Sequence, residues 1–386
     1  MLPLLEEINS KLEYHIKDSV QSKEDVELKD LMGRYSMSAI ASCAFGVDSC
    51  SFTNEGSESE FVKQAKKMFQ GDFWSKIIFT VTIFTPNRVK QIFSGIGLKN
   101  FPPVPNLKEN TFFQNVVEAT IKQRKESKKR RNDLVDLMID ATEGKLDSTE
   151  SESEKHNNNE MESNSMNPSS KKFEDLGYDS VISTAVIFLF AGYDTTGTTM
   201  SYILYELALN QDCQNALFEE IERNTNSTGE LSYDAIQSLP YLEAVIHETL
   251  RKHPVLAMLE RPCTKDYKLP NTDLVVEKGM RVRLNNVGIC FDPEIYPKPE
   301  EWNPDNFSKE NRANRNPYSF MAFSLGPRNC LAMRFAMFEM KVAISHVVSK
   351  FKILATPKTC KNVQVDPKHM LGAAKEGLLI KFEERK

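Results

Sequence analysis

Cys330 closes the segment Phe323-Ser-Leu-Gly326-Pro-Arg328-Asn-Cys330, directly ahead of a helical run. A thiol at a helix N-terminus faces the macrodipole and free N–H groups, which favour the thiolate, the form that ligates metals. Gly326 permits a tight turn and a close approach of backbone to a flat ligand. Arg328 offers a fixed cationic fork for an anionic ligand group, and Phe323 can shield the sulfur from water. Phe, Gly, Arg and Cys coincide at these positions by chance in roughly one chain in a thousand. The competing readings are an inert buried thiol and a zinc ligand, but no second Cys or His lies at zinc-ligand spacing.

Two further groups carry chemistry. Ala191-Gly192-Tyr193-Asp194-Thr195-Thr196 falls in the middle of a long apolar run, where Gly alone costs a helix about 1 kcal/mol against Ala. Thr195 can turn its hydroxyl onto the Ala191 carbonyl and loosen the helix ladder, leaving a groove for dioxygen and water. A kinked core helix with a capped carbonyl accounts for the same residues. Glu248-Thr-Leu-Arg251 puts opposite charges on one helix face; exposed, such a pair contributes little.

These groups need elements to hold them, and the spacing of apolar residues predicts mostly helix. Residues 2–16 form an amphipathic helix through Leu4, Leu5, Ile8, Leu12 and Ile16. Helices follow at Asp30–Ala44, Phe61–Phe69, Asn110–Lys125 and Asp133–Ala141. Tyr178 to about Asn210 is apolar on nearly all faces and predicts a helix at the centre of a large domain. Cys213–Asn224, Tyr241–His253 and Leu331–Lys350 are further helices. Tyr267–Val287 alternates between turn signals and predicts short strands, Pro293–Pro304 is irregular, and short strands close the chain. Trp74–Phe84 is a short apolar stretch, either buried or a loop that dips into a membrane interface or roofs a lipophilic pocket. The basic run Lys122–Arg131 is a solvated helix end. Residues 145–172 are Ser/Glu/Asn-rich and predict a disordered insert.

Composition narrows the classes. The 386 residues are 40% hydrophobic and 27% charged, which excludes collagen, coiled coil and global disorder. A net charge of −5 gives no footprint for nucleic acid. No uncharged apolar run reaches the ~18 residues of a membrane span. Seven cysteines without repeating spacing fit a reducing compartment.

The Cys330 segment resembles the haem-binding loop of the cytochrome P-450 family, FxxGxRxCxG, whose cysteine thiolate is the axial ligand of haem iron. Ala332 stands where the motif has its last Gly. The segment from Ala191 to Thr196 resembles the same family's [A/G]Gx[D/E]T[T/S] motif, and Glu248–Arg251 its ExxR helix. The shorter matches Tyr35-Ser-Met37, Phe45-Gly-Val47, Leu259-Glu-Arg261 and Met333-Arg-Phe-Ala336 look like the family 3-like microsomal clan.

The resemblance implies a mainly α fold with a small β portion, one domain over residues 1–386, starting after the family's N-terminal anchor, first β segment and Trp/Arg haem-clamp helix. No WxxxR occurs. It implies haem b, with Cys330 as the metal ligand and Phe323, Gly326, Arg328, Ala191 and the propionate contact Arg261 around it. Asp194 and Thr195 take the proton-delivery roles. Glu248 and Arg251 are structural; Asn306, in Pro304-Asp-Asn-Phe307, replaces the Arg that joins them in the family, so the core under the haem is expected to be less rigid. Ile187, Phe190, Ala191, Val255, Leu256 and Leu259 line a lipophilic pocket. The implied activity is O2-dependent hydroxylation of steroids or xenobiotics. Its implied partners are an NADPH-dependent reductase and cytochrome b5, with no nucleic acid. The implied location is the cytosolic face of the endoplasmic reticulum membrane, with membrane contact through Trp74–Phe84. Arg334 and Lys341 are candidate docking cations for an acidic electron donor. A non-catalytic product with weak or no haem binding is the alternative, motivated by the absent start and by Asn306; a gas- or haem-sensing module is a remote third.

Overall fold

The computed structural model describes residues 1–52, 59–70, 107–127, 129–142, 178–227, 229–366, 369 and 371–385. The apolar stretch Trp74–Phe84 and the 145–172 insert lie outside the described residues.

Helix dominates. Helix α1 (Leu2–Ser22) buries Leu5, Ile8, Leu12 and Ile16, the predicted face, and ends where Lys23 turns left-handed. A two-residue strand β1 (Val26–Glu27) leads into α2 (Leu28–Ile40), capped by the Glu27 carboxylate, which accepts the Lys29 and Asp30 N–H groups. A π-helical turn (Ala41–Phe45) finishes it before Gly46, so the predicted run to Ala44 is one helix with a changed pitch at its end. Then come α3 (Glu60–Gln70), α4 (Leu107–Ser127), α5 (Leu134–Thr142) and the long α6 (Tyr178–Leu209). After it lie α7 (Gln211–Asn224), α8 (Pro240–Lys252) and α9 (Met333–Lys350).

The β portion is small. Strands β4 (Phe351–Ala355) and β5 (Leu379–Glu384) pair antiparallel, and β1 adds to the other edge of β5. A second, two-stranded sheet joins β2 (Met258–Pro262) to β3 (Arg281–Asn285), with Leu259 opposite Leu284 and Arg261 opposite Val282. Strand β2 precedes the predicted strand region and was missed there; its pairing with β3 is non-local and leaves no short-range pattern.

Two large apolar clusters form most of the core, with a small third one at Ala244, Tyr296 and Phe307. The larger gathers α1, the first part of α2, the C-terminal half of α6, α8, α9 and sheet residues such as Ile353 and Ile380. The smaller packs the N-terminal half of α6 against α4, α5 and the end of α2. Helix α6 is therefore the shared axis, which its all-round apolarity predicted.

The basic run differs from its prediction. Arg124 is not solvated: its guanidinium bonds Asp133 and Asp136, and all three side chains are largely buried. Arg130 pairs with Asp140. The acidic residues that follow in sequence fold back onto the basic ones, which the charge run alone does not reveal.

Candidate active site

The loop before α9 is closed by its own backbone. Cys330 N–H donates to Phe323 O at 2.8 Å, and Asn329 N–H to Gly326 O at 3.0 Å. Ser324 and Gly326 both take left-handed conformations, with φ of 58° and 77°. A Cβ on Gly326 would meet nothing within 4 Å, so its backbone borders open space. Phe323 is half-buried against the main core, whereas Arg328 and Cys330 are exposed.

The helix begins later than predicted. Its cap is Ala332 and its first residue Met333, so Cys330 lies two positions outside the cap. The macrodipole acts mainly within the first turn, and the bond to the Phe323 carbonyl, not the helix end, holds Cys330 in place.

Arg261 ties the β2–β3 sheet to this loop. Its Nη2 donates to Ser324 Oγ at 2.9 Å and lies 3.4 Å from Arg328 O. Cross-strand partners share a face, so Leu259, Arg261, Val282 and Leu284 lie on one face. Glu260 lies on the other, where Arg281 and Arg283 each hold one of its carboxylate oxygens at 2.7 Å. Leu259 is buried, Val255 half-buried and Leu256 exposed.

On α6, Ile187, Ala191 and Thr195 recur at a spacing of four and form an open stripe; past Thr184 the helix is otherwise buried or half-buried. Thr195 Oγ1 donates to Ala191 O at 2.6 Å, the predicted turn. Phe190 is not on this stripe. It is buried, with its ring 4.8 Å from that of Phe113 in the smaller core cluster.

Asp194 also points elsewhere. It is 1% exposed and pairs with Lys29 Nζ of α2. Lys29 Nζ further donates to Thr198 Oγ1 and to Asp194 O, and His369 Nδ1 lies 3.9 Å from Asp194 Oδ2. The structure thus brings Thr195, Ala191 and Ile187 together and sends Asp194 into the α2 contact. One signal for Lys29 existed in the sequence: a cation in a helix's first turn opposes the macrodipole and so needs a partner elsewhere.

The glycines of α6 have a different role from the predicted groove. The helix is unbroken over its 32 residues. A Cβ on Gly192 would lie 2.9 Å from Ile40 Cδ1, and one on Gly197 only 3.2 Å from the Gly33 backbone. Both glycines admit α2, which anchors there through Ser36 Oγ donating to Tyr193 O at 2.7 Å.

Glu248 and Arg251 are fully buried, not an exposed pair. Arg251 Nε and Nη2 grip the Glu248 carboxylate at 2.8 and 2.7 Å, and its remaining N–H groups reach Cys290 O, Pro299 O and Glu301 O. All five guanidinium donors are used. Glu248 Oε1 also accepts Asn303 N–H at 2.9 Å and Asn306 Nδ2 at 3.1 Å. The amide of Asn306 completes a network with one positive and one negative charge.

Of the two candidate docking cations, Arg334 is exposed. Lys341 is not available: it is buried, donating to Gln237 O at 2.9 Å and pairing with Glu243 at 3.0 Å. Its helix is buried nearly all round from Phe338 to Val348, so a lysine there needs an acid partner inside. Among the described residues no group of three or more His, Cys, Asp or Glu could hold a metal ion. No described helix is long and apolar enough to cross a membrane.

Comparison with known proteins shows the family of the chain. The family model for cytochrome P450 matches residues 1–382. Cytochrome P450 3A2 of Rattus norvegicus is 35% identical over 370 residues, covering 95% of this chain and 66% of the relative. Cytochrome P450 6B7 of Helicoverpa armigera is 32% identical over 376 residues, covering 96% and 68%. Cytochrome P450 3A11 of Mus musculus is 32% identical over 384 residues, covering 98% and 68%. The chain spans about two thirds of the length of these relatives. A mainly helical chain with small sheets, an exposed cysteine on a backbone-closed loop and a buried Glu–Arg pair, matched over nearly its full length, belongs to the cytochrome P450 family.

Proposed function

We propose that this protein is a haem-thiolate monooxygenase acting on lipophilic substrates, steroids or xenobiotics among them, with haem b as its cofactor. The observation that carries the reading is the exposed thiol of Cys330 on a closed loop, joined through Arg261 to a sheet face that leaves apolar side chains open. Ile187, Leu256, Val282, Leu284 and Leu331 are large apolar residues left exposed, Leu331 by 84%.

The residues fit haem. A flat apolar ring matches the exposed apolar side chains and the open backbone at Gly326. Arg261 and Arg328 are exposed cations suited to its propionates. Cys330 would ligate the iron. Haem, when bound, supplies the iron chemistry that splits O2, one atom entering a C–H bond as hydroxyl and the other leaving as water with two electrons and two protons.

The chain's own residues do the rest. Thr195 presents a hydroxyl at the open stripe, held by the Ala191 carbonyl, and can accept or pass a proton there. Asp194, one residue back, lies on the helix's buried side, paired with Lys29, and would be the acid behind that hydroxyl. Ile187 and Leu256 offer apolar contact and exclude water. Glu248, Arg251 and Asn306 fix the segment beneath without touching substrate. A membrane-bound NADPH-dependent reductase and cytochrome b5 would supply electrons, placing the protein on the cytosolic face of the endoplasmic reticulum.

Incubation with the reductase, NADPH, a steroid and 18O2 tests this. One labelled oxygen is expected in a hydroxylated product, lost in Cys330→Ser. Unlabelled product, or equal turnover by Cys330→Ser, would overturn it.

A further inference from the structure

The stretch between α8 and β2 is gripped from two sides, and two stacked rings make the grip. His253, the first residue past α8, lays its ring flat on that of Tyr202 of α6, with centroids 4.1 Å apart and planes at 5°. Each ring has one polar end, tied to a different partner. Tyr202 Oη donates to Gly372 O at 2.9 Å. His253 Nε2 meets Glu206 Oε1 of α6 at 2.6 Å, and a ring nitrogen facing a carboxylate carries the proton. Glu206 is buried and also takes Lys252 Nζ at 3.1 Å and Asn210 Nδ2 at 3.3 Å. Its carboxylate is a fixed point, and His253 is pinned to it.

The second side is the antiparallel contact of residues 364–366 with 373–375. Val365 pairs with Ala374, Asp366 N–H donates to Ala373 O and Lys375 N–H to Gln364 O, both at 2.8 Å. A Cβ on the adjoining Gly372 would lie 3.2 Å from Pro254 O and 3.8 Å from Val255 Cα, so the two backbones touch there. The far end of the stretch is held by Asn286, whose Nδ2 donates to Leu256 O at 2.9 Å, and by Val287 N–H on Ala257 O at 3.3 Å. Between these points lie Val255, half-buried, and Leu256, exposed. Two phenylalanines would fill the space of the stacked rings; a tyrosine and a histidine add one directed bond at each polar end.

We infer that Tyr202 and His253 are positioning residues that set substrate selectivity. As a latch they fix the 253–257 stretch against Gly372, and with it where Val255 and Leu256 present their side chains to a lipophilic substrate. Without either bond the stretch shifts against Gly372 and the apolar surface changes shape, while Cys330 and Thr195 stay in place. The selectivity rests on the monooxygenase reading; the latch itself does not. Tyr205, one turn on in α6, is the internal comparison. It is equally buried and its hydroxyl also reaches a backbone carbonyl, Cys360 O at 2.7 Å, but that carbonyl lies outside the latch.

Hydrogen–deuterium exchange of the full chain tests the latch without turnover. In Tyr202→Phe, which keeps the stack and loses the bond to Gly372, the Asp366 and Lys375 amides are expected to exchange about 3–10 times faster, the range one hydrogen bond sustains. In His253→Phe, which keeps the stack and loses Glu206, the Val287 amide is expected to do the same. Tyr205→Phe keeps the wild-type rate at all three. Unchanged rates in both Tyr202→Phe and His253→Phe, or an equal rise in Tyr205→Phe, overturn the latch; if one variant does not fold, the other decides. For selectivity, the haem-loaded chain is given testosterone, the reductase and NADPH, and the ratio of hydroxylated positions is read. It is expected to change by about threefold or more in Tyr202→Phe and His253→Phe, a shift of the size one lost contact gives, and to hold in Tyr205→Phe. A ratio unchanged in both variants, or changed equally in Tyr205→Phe, overturns the selectivity role even where the exchange result holds. Product absent already in wild type falls on the monooxygenase reading, and the exchange result still decides the latch.

Discussion

Two polar regions of this molecule are built on opposite plans. Around Glu248 and Arg251 every guanidinium donor has a protein acceptor, and both side chains are fully buried. Around Cys330 the thiol, Arg328 and the neighbouring Leu331 all face outward, and the loop is held by its own backbone, by Arg261 and by Phe323 packed against the main core. The first region is finished by the chain itself and serves as scaffold. The second keeps its donors and apolar surface uncommitted, which is what a ligand-holding surface requires. Residues in the first should therefore govern folding, and residues in the second ligand binding with little effect on folding.

The largest effect should come from opening the closed network. Arg251→Leu leaves Glu248 as an uncompensated buried charge and is expected to cost about 3–5 kcal/mol. Denaturant midpoints measure it, and a near-neutral result would mean the network is not a scaffold.

A second effect belongs to the same side of the molecule. His247 of α8 is buried beside Phe307 and Phe320, with Nδ1 unpartnered, and burial lowers its pKa from 6.5 to about 4 despite Glu243. The folded protein keeps this ring neutral while the unfolded chain protonates it below pH 6.5. Stability is thus complete above about 6.5 and falls as pH drops toward 4, by about 3 kcal/mol from this group. His247→Phe should flatten that part of the acid-side stability curve, and an unchanged slope would contradict the assignment.

Asn306→Ala removes one of the donors on Glu248 Oε1 and should cost about 1–2 kcal/mol. That sharpens the comparison, because an amide in place of an arginine was expected to loosen this core. A cost near zero would restore that expectation. The smallest effect is predicted in the open region. Arg328→Gln should change the stability of the haem-free chain by less than about 0.5 kcal/mol while weakening haem binding. A stability loss matching that of Asn306→Ala would erase the distinction between the two regions.

Much of this was legible in the sequence. The helices are long and periodic, and the Cys330 loop is marked by residue types fixed by turn geometry and ligand approach. What remained hidden depends on partners far away in the chain. Asp194 and Thr195 are neighbours in sequence, yet only the position of α2 decides that one faces Lys29 and the other the open stripe. Phe190 reads as a pocket residue until Phe113 is brought against it. Lys341 reads as a surface charge until Glu243 arrives from α8. The glycines of α6 suggested a local groove because the helix they admit is some 160 residues earlier.

The central claim is that the exposed thiol of Cys330 ligates haem iron. The reduced carbon-monoxide difference spectrum of the purified, haem-supplemented chain tests it most directly, beside Cys330→Ser and Cys290→Ser, the latter a buried thiol whose residue joins the Glu248–Arg251 network only through its backbone carbonyl. The account predicts a thiolate-type Soret band in wild type and Cys290→Ser and its loss in Cys330→Ser. A band that survives in Cys330→Ser, or none in wild type, would contradict it.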